Sequence, residues 1–172
     1  MSAAFVYDAA LARPILRPDH PLKPERARAC HELLRAAGVF DSGAARVVAP
    51  TPASREDVLR VHTPEYVDAV ERLSLPAARR NGDAARWGLS SHGDTPAFEG
   101  MHEYYRLAAG AAIESARLVD TRECDFAFSP AGGVNHHAMP GRASGFGVLN
   151  DAAIAIAWLV ERGRRVMYVD LD

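Results

Sequence analysis

The chain has 172 residues, of which 48% are hydrophobic and 24% charged, and its net charge is −2. This composition is typical of one globular domain with a sizeable core. The near-neutral balance gives no basic patch for nucleic acid or anionic membrane. The apolar run 152–160 is too short to span a bilayer. No export signal is recognisable, so we expect a cytoplasmic protein in which Cys30 and Cys124 are reduced thiols.

The first part of the chain predicts short strands separated by a helix. Residues 3–8 form a strand candidate, and a proline-studded loop follows because fixed φ angles discourage regular structure. Pro24 suits the first turn of a helix that ends at Gly38. The residues at 47–48 mark a second short strand. One face of the helix is predicted to be its apolar side: Ala29, Leu33, Ala36 and Ala37.

Caps and spacing predict the helices that follow. Ser54 with Asp57 three places on, and Thr63 with Pro64 after it, both fit helix N-termini. Residues 77–91 are polar and irregular, so we expect a surface loop there. Beyond them, apolar side chains recur at intervals of three and four residues, which predicts one long amphipathic helix. That stripe contains Phe98, Met101, Tyr105, Ala108, Ala112, Ala116 and Val119.

The last part of the chain predicts a strand, a loop, a helix and a strand. Residues 125–129 are the first strand, and Asn150 or Asp151 caps a helix over 152–162 that Gly163 ends. Residues 166–172 are typical of a buried strand that ends in two carboxylates. This order implies a parallel βαβ crossover. Because no repeat or linker divides the chain, we expect a single α/β domain.

Two groups of polar residues carry the chemical signal. His136 and His137 are adjacent in a glycine-rich loop, and Asp170 and Asp172 close the last predicted strand. Each group alone also fits an ordinary use, as surface histidines or as a solvated acidic turn. Ligands gather at the carboxyl ends of parallel strands, so the four side chains should converge. Together they favour a hydrolytic metal site in which histidine transfers protons, with His136 and Asp170 as a candidate dyad.

Two further segments predict contacts with a substrate. Gly145 permits close approach, and Phe146 offers an apolar wall for a slender substrate, although an aromatic residue at this position also fits a core. Asp94 is a loop acid that can accept backbone hydrogen bonds from a ligand. The alternative for Asp94 is a turn residue before Pro96.

Motifs spread over most of the chain form an ordered set. They are HPLKPER at 20–26, VHTPEY at 61–66, GDTPAFEG at 93–100, the His136-His137 loop, ASGF at 143–146, Asn150-Asp151 and YVDLD at 168–172. The set resembles the zinc-dependent histone deacetylase family, especially its bacterial acetoin-utilization deacetylase and acetylpolyamine amidohydrolase branches. The resemblance implies a three-layer arginase/deacetylase-like α/β fold, incomplete at the C-terminus. Its central sheet is mostly parallel and flanked by helices. Residues 1–172 would be the N-terminal portion of one deacetylase domain.

The resemblance also implies roles at the predicted metal site. His137 is similar to the general base and acid, and His136 to its electrostatic partner, which Asp170 supports. Asp172 is similar to a ligand of the single zinc ion. Asp170 and Asp172 also resemble residues that contribute to a structural potassium site.

Further roles implied by the resemblance concern the substrate. Asp94 is similar to the rim acid that holds the substrate backbone, and Gly145 and Phe146 are similar to parts of an acyl-lysine tunnel. Arg26 resembles an arginine that lines an internal channel for acetate escape. Many family members have cysteine where Gly147 stands, so we expect a looser tunnel floor here.

The resemblance implies an acetylated lysine, an acetylated polyamine or a small acetylamide as substrate. Polyamine-type members suggest a homodimer, and we expect no nucleic acid or membrane partner. Family members continue past position 172 with a histidine ligand, a further aspartate ligand and an oxyanion-stabilising tyrosine. We therefore expect this polypeptide to bind zinc weakly and to show little or no deacetylase turnover.

Two other interpretations stay open on the sequence. An arginase-like hydrolase would bind two manganese ions and act on a guanidino substrate, but Ser144-Gly145-Phe146 argues against this group. A non-catalytic binding or assembly module derived from half a deacetylase fold is the second alternative. The ligands expected beyond position 172 favour that module, whereas His136, His137 and Asp94 favour catalysis.

Overall fold

A three-stranded parallel sheet forms the centre of the part of the chain that the structure describes. The structure is a computed structural model and describes residues 2–76, 83–90 and 93–172. The strand order is β2-β1-β3, and β1 pairs in parallel with both neighbours. The strands are β1 (Ala3–Val6), β2 (Ala45–Val48) and β3 (Phe126–Phe128). The parallel sheet confirms the predicted α/β class.

The helices begin where the sequence places their caps. Ser54 forms a capping box with Asp57, and the Thr63 and Asn150 side chains accept hydrogen bonds from the first turns of their helices. These are α1 (Glu25–Ala36), α2 (Arg55–Leu59), α3 (Pro64–Leu73), α4 (Met101–Asp120) and α5 (Asp151–Glu161). Gly38 and Gly163 follow α1 and α5 with φ of +70° and +73°, a backbone conformation that favours glycine at helix ends.

Helix α4 organises the core because it contacts α3, α5, β1 and β3. Met101, Tyr105 and Ala108 of its predicted stripe are buried. The prediction is wrong near the end of the helix, where Val119 is exposed and Leu118 is buried instead. A spacing of 3.6 residues per turn drifts over twenty residues, so a stripe read from one end misses the contact face at the other.

The predicted apolar face of α1 is wrong. Its members are exposed, and Leu33 is 70% accessible to solvent. The buried side instead contains Ala27, and the half-buried His31 stacks on Tyr7 with ring centroids 4.6 Å apart. Alanines fit either face of a helix, so the stacking of His31 on Tyr7, next to β1, decides the orientation of α1.

The predicted terminal strand and its βαβ crossover are also wrong. Residues 166–172 lie outside any strand in the described structure and are exposed, with Met167 and Leu171 at 86% and 95%. Phe126 and Phe128 of β3, an edge strand of the sheet, are likewise exposed. A run of apolar residues becomes a buried strand only where another strand pairs with it and further elements cover its faces.

The predicted loop at 77–91 is only partly open to comparison, because residues 77–82 and 91 lie outside the described residues. Asp83–Trp87 forms a 3-10 helix rather than irregular loop. Arg72 stabilises it by donating to the Asp83 carboxylate over 2.6 Å.

Within the described ranges, no helix combines the length and apolarity needed to cross a bilayer.

Candidate active site

The loop that carries the two histidines is held by the first residues of α5. The Asn150 amide group donates to the backbone carbonyls of His136 and Ala138 over 3.0 and 3.1 Å. The Asp151 carboxylate accepts from the Gly133 N–H at 2.7 Å and from the Asn135 amide at 3.0 Å. These four hydrogen bonds fix both ends of the loop segment 133–138, and the sequence interpretation missed all of them.

Buried Asp151 holds the loop as a carboxylate. Burial raises the pKa of Asp151, while the hydrogen bonds from Gly133 and Asn135 oppose this rise. Both donors are N–H groups, which cannot accept a proton from the acid form. Asp151 also lies at the first position of α5, where the helix dipole favours negative charge. The geometry therefore favours the ionised form.

His62 joins this arrangement from the opposite side. Its Nε2 accepts from the Asn150 N–H at 2.9 Å, so its Nδ1 carries the proton and donates to the Pro140 carbonyl at 3.2 Å. Burial lowers the pKa of His62, in agreement with this neutral tautomer. The imidazole thus ties the start of α5 to the end of the histidine loop, a positional role that its motif did not reveal.

His136 and Asp170 form the predicted dyad. Their Nδ1 and Oδ2 atoms are 2.5 Å apart. The Tyr168 hydroxyl and the Asp172 N–H also donate to Asp170, over 2.9 and 3.1 Å. The hydrogen bond with Asp170 raises the pKa of His136, and the same contact, with the other donors, lowers the pKa of Asp170 to about 2. This pairing orients the His136 ring and leaves its Nε2 turned toward Asp172.

Asp172 lies close to both imidazoles. Its Oδ2 is 3.4 Å from Nε2 of His136 and 3.6 Å from Nε2 of His137. The two rings are packed edge to face with centroids 4.2 Å apart. Although residues 166–172 are not in the sheet, the predicted convergence of the histidines and aspartates is present.

Of the substrate-binding candidates, Gly145 lies against the His137 ring and Phe146 follows it in the chain. A Cβ at Gly145, where φ is +49°, would lie 2.6 Å from Cδ2 of His137, so only glycine lets the loop approach this ring. Phe146 has a φ of +69°, and its carbonyl accepts from the buried Tyr105 hydroxyl at 3.0 Å. The edge of the buried His20 ring packs against Phe146, with centroids 5.2 Å apart.

A hydrogen bond from His20 connects the main chain of Asp94 to this region. The His20 Nδ1 accepts from the Leu22 N–H, so its Nε2 donates to the Asp94 backbone carbonyl at 3.1 Å. Asp94 itself is exposed. One buried imidazole therefore links the predicted rim acid to the predicted tunnel wall, Phe146. The sequence interpretation named the motif of His20 but gave this residue no role.

Two other expectations concern the interior. A cavity of about 240 Å³ is lined by Arg26, Tyr104, Tyr105 and Asn135 among others, and Arg26 itself is exposed, so an internal channel at this residue stays a prediction. The expectation of a looser floor at Gly147 is wrong. A Cβ there would lie 2.8 Å from backbone atoms of Asn135, which shows close packing.

Imidazoles and carboxylates gathered beside a parallel sheet are typical of metal-dependent hydrolases. Comparison with known proteins is more specific, because the histone deacetylase domain model matches residues 20–172. The chain is 32% identical to histone deacetylase RPD3 of Saccharomyces cerevisiae over 98% of its own length and 38% of that protein. It is 34% identical to acetoin utilization protein AcuC of Bacillus subtilis, over 99% of its length and 43% of that protein.

The chain belongs to the histone deacetylase family. Its parallel sheet with flanking helices is consistent with the arginase/deacetylase-like α/β fold. The chain spans about two fifths of the length of the two relatives just described. Membership of this family argues against the alternative of a two-manganese hydrolase acting on a guanidino substrate.

Proposed function

We propose that this chain carries the proton-transfer residues and part of the metal site of a zinc-dependent amide hydrolase. The substrate is an acetylated lysine, an acetylated polyamine or a small acetylamide. The observation that carries the proposal is the contact of His136 with Asp170, beside His137 and Asp172. A carboxylate oxygen is one of the donor types that zinc binds, so Asp172 fits this metal.

In this proposal the two histidines divide the proton chemistry. His137 is the more exposed of the pair and takes a proton from the attacking water, then returns it to the leaving amine. His136, held by Asp170, stabilises the charge that develops beside it. Asp172 would hold the metal, which when bound would polarise the acyl carbonyl and make water more acidic. Asp170 and Asp172 are also our candidates for a structural potassium site.

The residues around Phe146 would bind the substrate. The Phe146 ring would pack along the aliphatic part of the acylated amine, and the Gly145 carbonyl would accept from the substrate amide. Asp94 would accept backbone hydrogen bonds at the entrance, because its carboxylate is exposed while His20 fixes its main chain. An acidic entrance also attracts a cationic polyamine.

We expect weak or no turnover from the 172-residue chain by itself. Catalytic zinc sites generally use three protein ligands. In the part of the chain that the structure describes, Asp172 is the one member of the candidate metal group that is not an imidazole of the proposed proton-transfer pair. A measurement of substrate binding is therefore a better test of the proposal than a measurement of the hydrolysis rate.

The test is an NMR titration of the zinc-loaded chain with N-acetyl-lysine methylamide and with acetylated putrescine. We expect shifts of the Gly145 and Phe146 amides, and a loss of affinity of roughly tenfold in Phe146→Ala because a buried aromatic contact is removed. Glu32→Gln, on the exposed face of α1, is the matched control. No shift with either compound, or equal binding by Phe146→Ala, would contradict the proposal.

The second candidate function is a non-catalytic assembly module. It is favoured by the exposed apolar surface of residues 166–172, which includes Met167 and Leu171, and by the exposed Phe126 and Phe128 of β3. Light scattering tests it, since a module that assembles through this surface would form stable dimers that Met167→Lys disrupts. Acetate release that requires His137 would instead favour the hydrolase.

A further inference from the structure

We infer that the buried His20 is a positioning residue for substrate binding, because it fixes the predicted rim acid, Asp94, relative to the predicted tunnel wall, Phe146. This role rests on the proposed function, in which Asp94 accepts hydrogen bonds from the substrate main chain and Phe146 packs along the acylated side chain. The consequence is a substrate preference. An acetylated lysine with a main chain gains from both contacts, whereas an acetylated alkylamine gains only from Phe146.

The His20 ring is fixed by its own segment of the chain. His20 is 1% exposed, and its Nδ1 accepts a hydrogen bond from the Leu22 N–H at 3.1 Å. The His20 N–H donates to the Arg17 carbonyl over 3.0 Å. Since Nδ1 accepts, the ring proton is on Nε2, which lies 3.1 Å from the Asp94 carbonyl oxygen. The imidazole therefore presents a donor of fixed direction to a loop 74 residues further along the chain.

The loop that carries Asp94 closes on itself, and the contact with His20 connects it to a distant segment. The Ser90 N–H donates to the Thr95 carbonyl at 3.0 Å, and the Ser90 hydroxyl accepts from the Gly93 N–H at 2.7 Å. These short-range bonds define the shape of the loop, whereas its position relative to the tunnel wall depends on longer-range contacts such as the bond from His20. Because the aspartate side chain is short, the position of the Asp94 main chain determines where its exposed carboxylate can reach.

Phe146 is held from two sides. Its carbonyl accepts from the Tyr105 hydroxyl of α4 at 3.0 Å, and its ring forms an edge-to-face pair with His20. The two ring centroids are 5.2 Å apart, and the ring planes meet at 73°. Edge-to-face packing is a preferred geometry for aromatic rings, so this contact restricts the orientation of the Phe146 ring. One imidazole thus makes a directional contact with each of two residues that would bind the substrate.

The experiment compares two ligands that share an acetamide group and the aliphatic chain of lysine. One is Nα,Nε-diacetyl-lysine methylamide, which has main-chain N–H donors, and the other is N-butylacetamide, which has no main chain. Both are titrated into the zinc-loaded chain and followed by NMR. His20→Phe keeps an aromatic ring against Phe146 but removes the donor to Asp94, whereas His20→Gln keeps a side-chain N–H but removes the ring.

The two variants should affect the two ligands differently. His20→Phe should weaken binding of the lysine derivative about three- to tenfold, the effect of one lost hydrogen bond, and leave binding of N-butylacetamide unchanged. His20→Gln should weaken both ligands by a similar factor, since each packs along Phe146, and so keep the wild-type ratio of affinities. His31→Phe is the matched control and should bind both ligands as the wild type does, because the His31 imidazole stacks on Tyr7 and Phe40.

The outcomes separate this role from the proposed function. Equal losses for the two ligands in His20→Phe, or a changed ratio of affinities in His20→Gln, would overturn the role of His20 and leave the proposed function intact. If neither ligand binds the wild-type chain, the proposed function fails and a ligand-free signal decides.

That signal is the chemical shift of the Thr95 amide nitrogen, which belongs to the same peptide group as the Asp94 carbonyl. It should change in His20→Phe and return toward the wild-type value in His20→Gln, because the glutamine amide again donates to the carbonyl. An unchanged Thr95 shift in His20→Phe would contradict the positioning of Asp94 by His20. Circular dichroism checks the folding of each variant.

Discussion

The side chain of Asn150 stabilises two structures whose energies can be separated. Its oxygen caps α5 by accepting from the Ala153 N–H at 3.0 Å, and its amide group donates to the carbonyls of His136 and Ala138. A lost cap costs about 1 kcal/mol, and each of the two lost hydrogen bonds about 1 kcal/mol. Asn150→Ala should therefore lower the free energy of unfolding by about 3 kcal/mol in urea denaturation.

Two further variants divide this loss between cap and loop. Asn150→Ser keeps a capping oxygen but loses both bonds to the histidine loop, so it should cost about 2 kcal/mol. Ser54→Ala removes a comparable cap at α2, remote from the loop, and should cost about 1 kcal/mol. Wild-type stability of Asn150→Ser would refute this reasoning.

The remaining predictions concern pH and glycine. By NMR, the His136 ring should titrate above its ordinary pKa of 6.5, and Asp170→Asn should lower that pKa; an unchanged midpoint would contradict the dyad. The stability from His136 is present below pH 6.5 and is lost as pH rises through the raised pKa, whereas that from Asp170 is lost as pH falls from 3.8 toward about 2. Gly147→Ala should cost roughly 1–3 kcal/mol in thermal or urea unfolding, because the new methyl group meets the backbone of Asn135. Gly43→Ala, with open space but a positive φ, should cost only about 1 kcal/mol, and equal losses would argue against the packing explanation.

The convergence of the candidate site was predictable although one of its premises failed. Residues 166–172 are not a paired strand, yet Asp170 contacts His136 as expected. The contact between the His136 imidazole and the Asp170 carboxylate joins the two groups without a paired strand. The chemistry of a site is therefore easier to predict than the secondary structure that carries it.

The hydrogen bonds that hold the site could not be predicted in the same way. Asn150 was predicted as a cap, but its bonds to His136 and the contact with His62 join residues 14 and 88 positions apart. Nothing in local spacing distinguishes these partners from others. The prediction for the face of α1 failed for a related reason, since His31 stacks on Tyr7, a residue 24 positions earlier in the chain.

The left-handed backbone of Phe146 restricts which substitutions are tolerated at the proposed tunnel wall. With φ at +69°, a β-branched residue such as valine or isoleucine would be strained whatever space the substrate leaves. Asparagine and glycine tolerate this conformation but supply no apolar surface. Changes in substrate preference should therefore arise from substitutions in neighbouring loops, whereas position 146 should keep its aromatic residue.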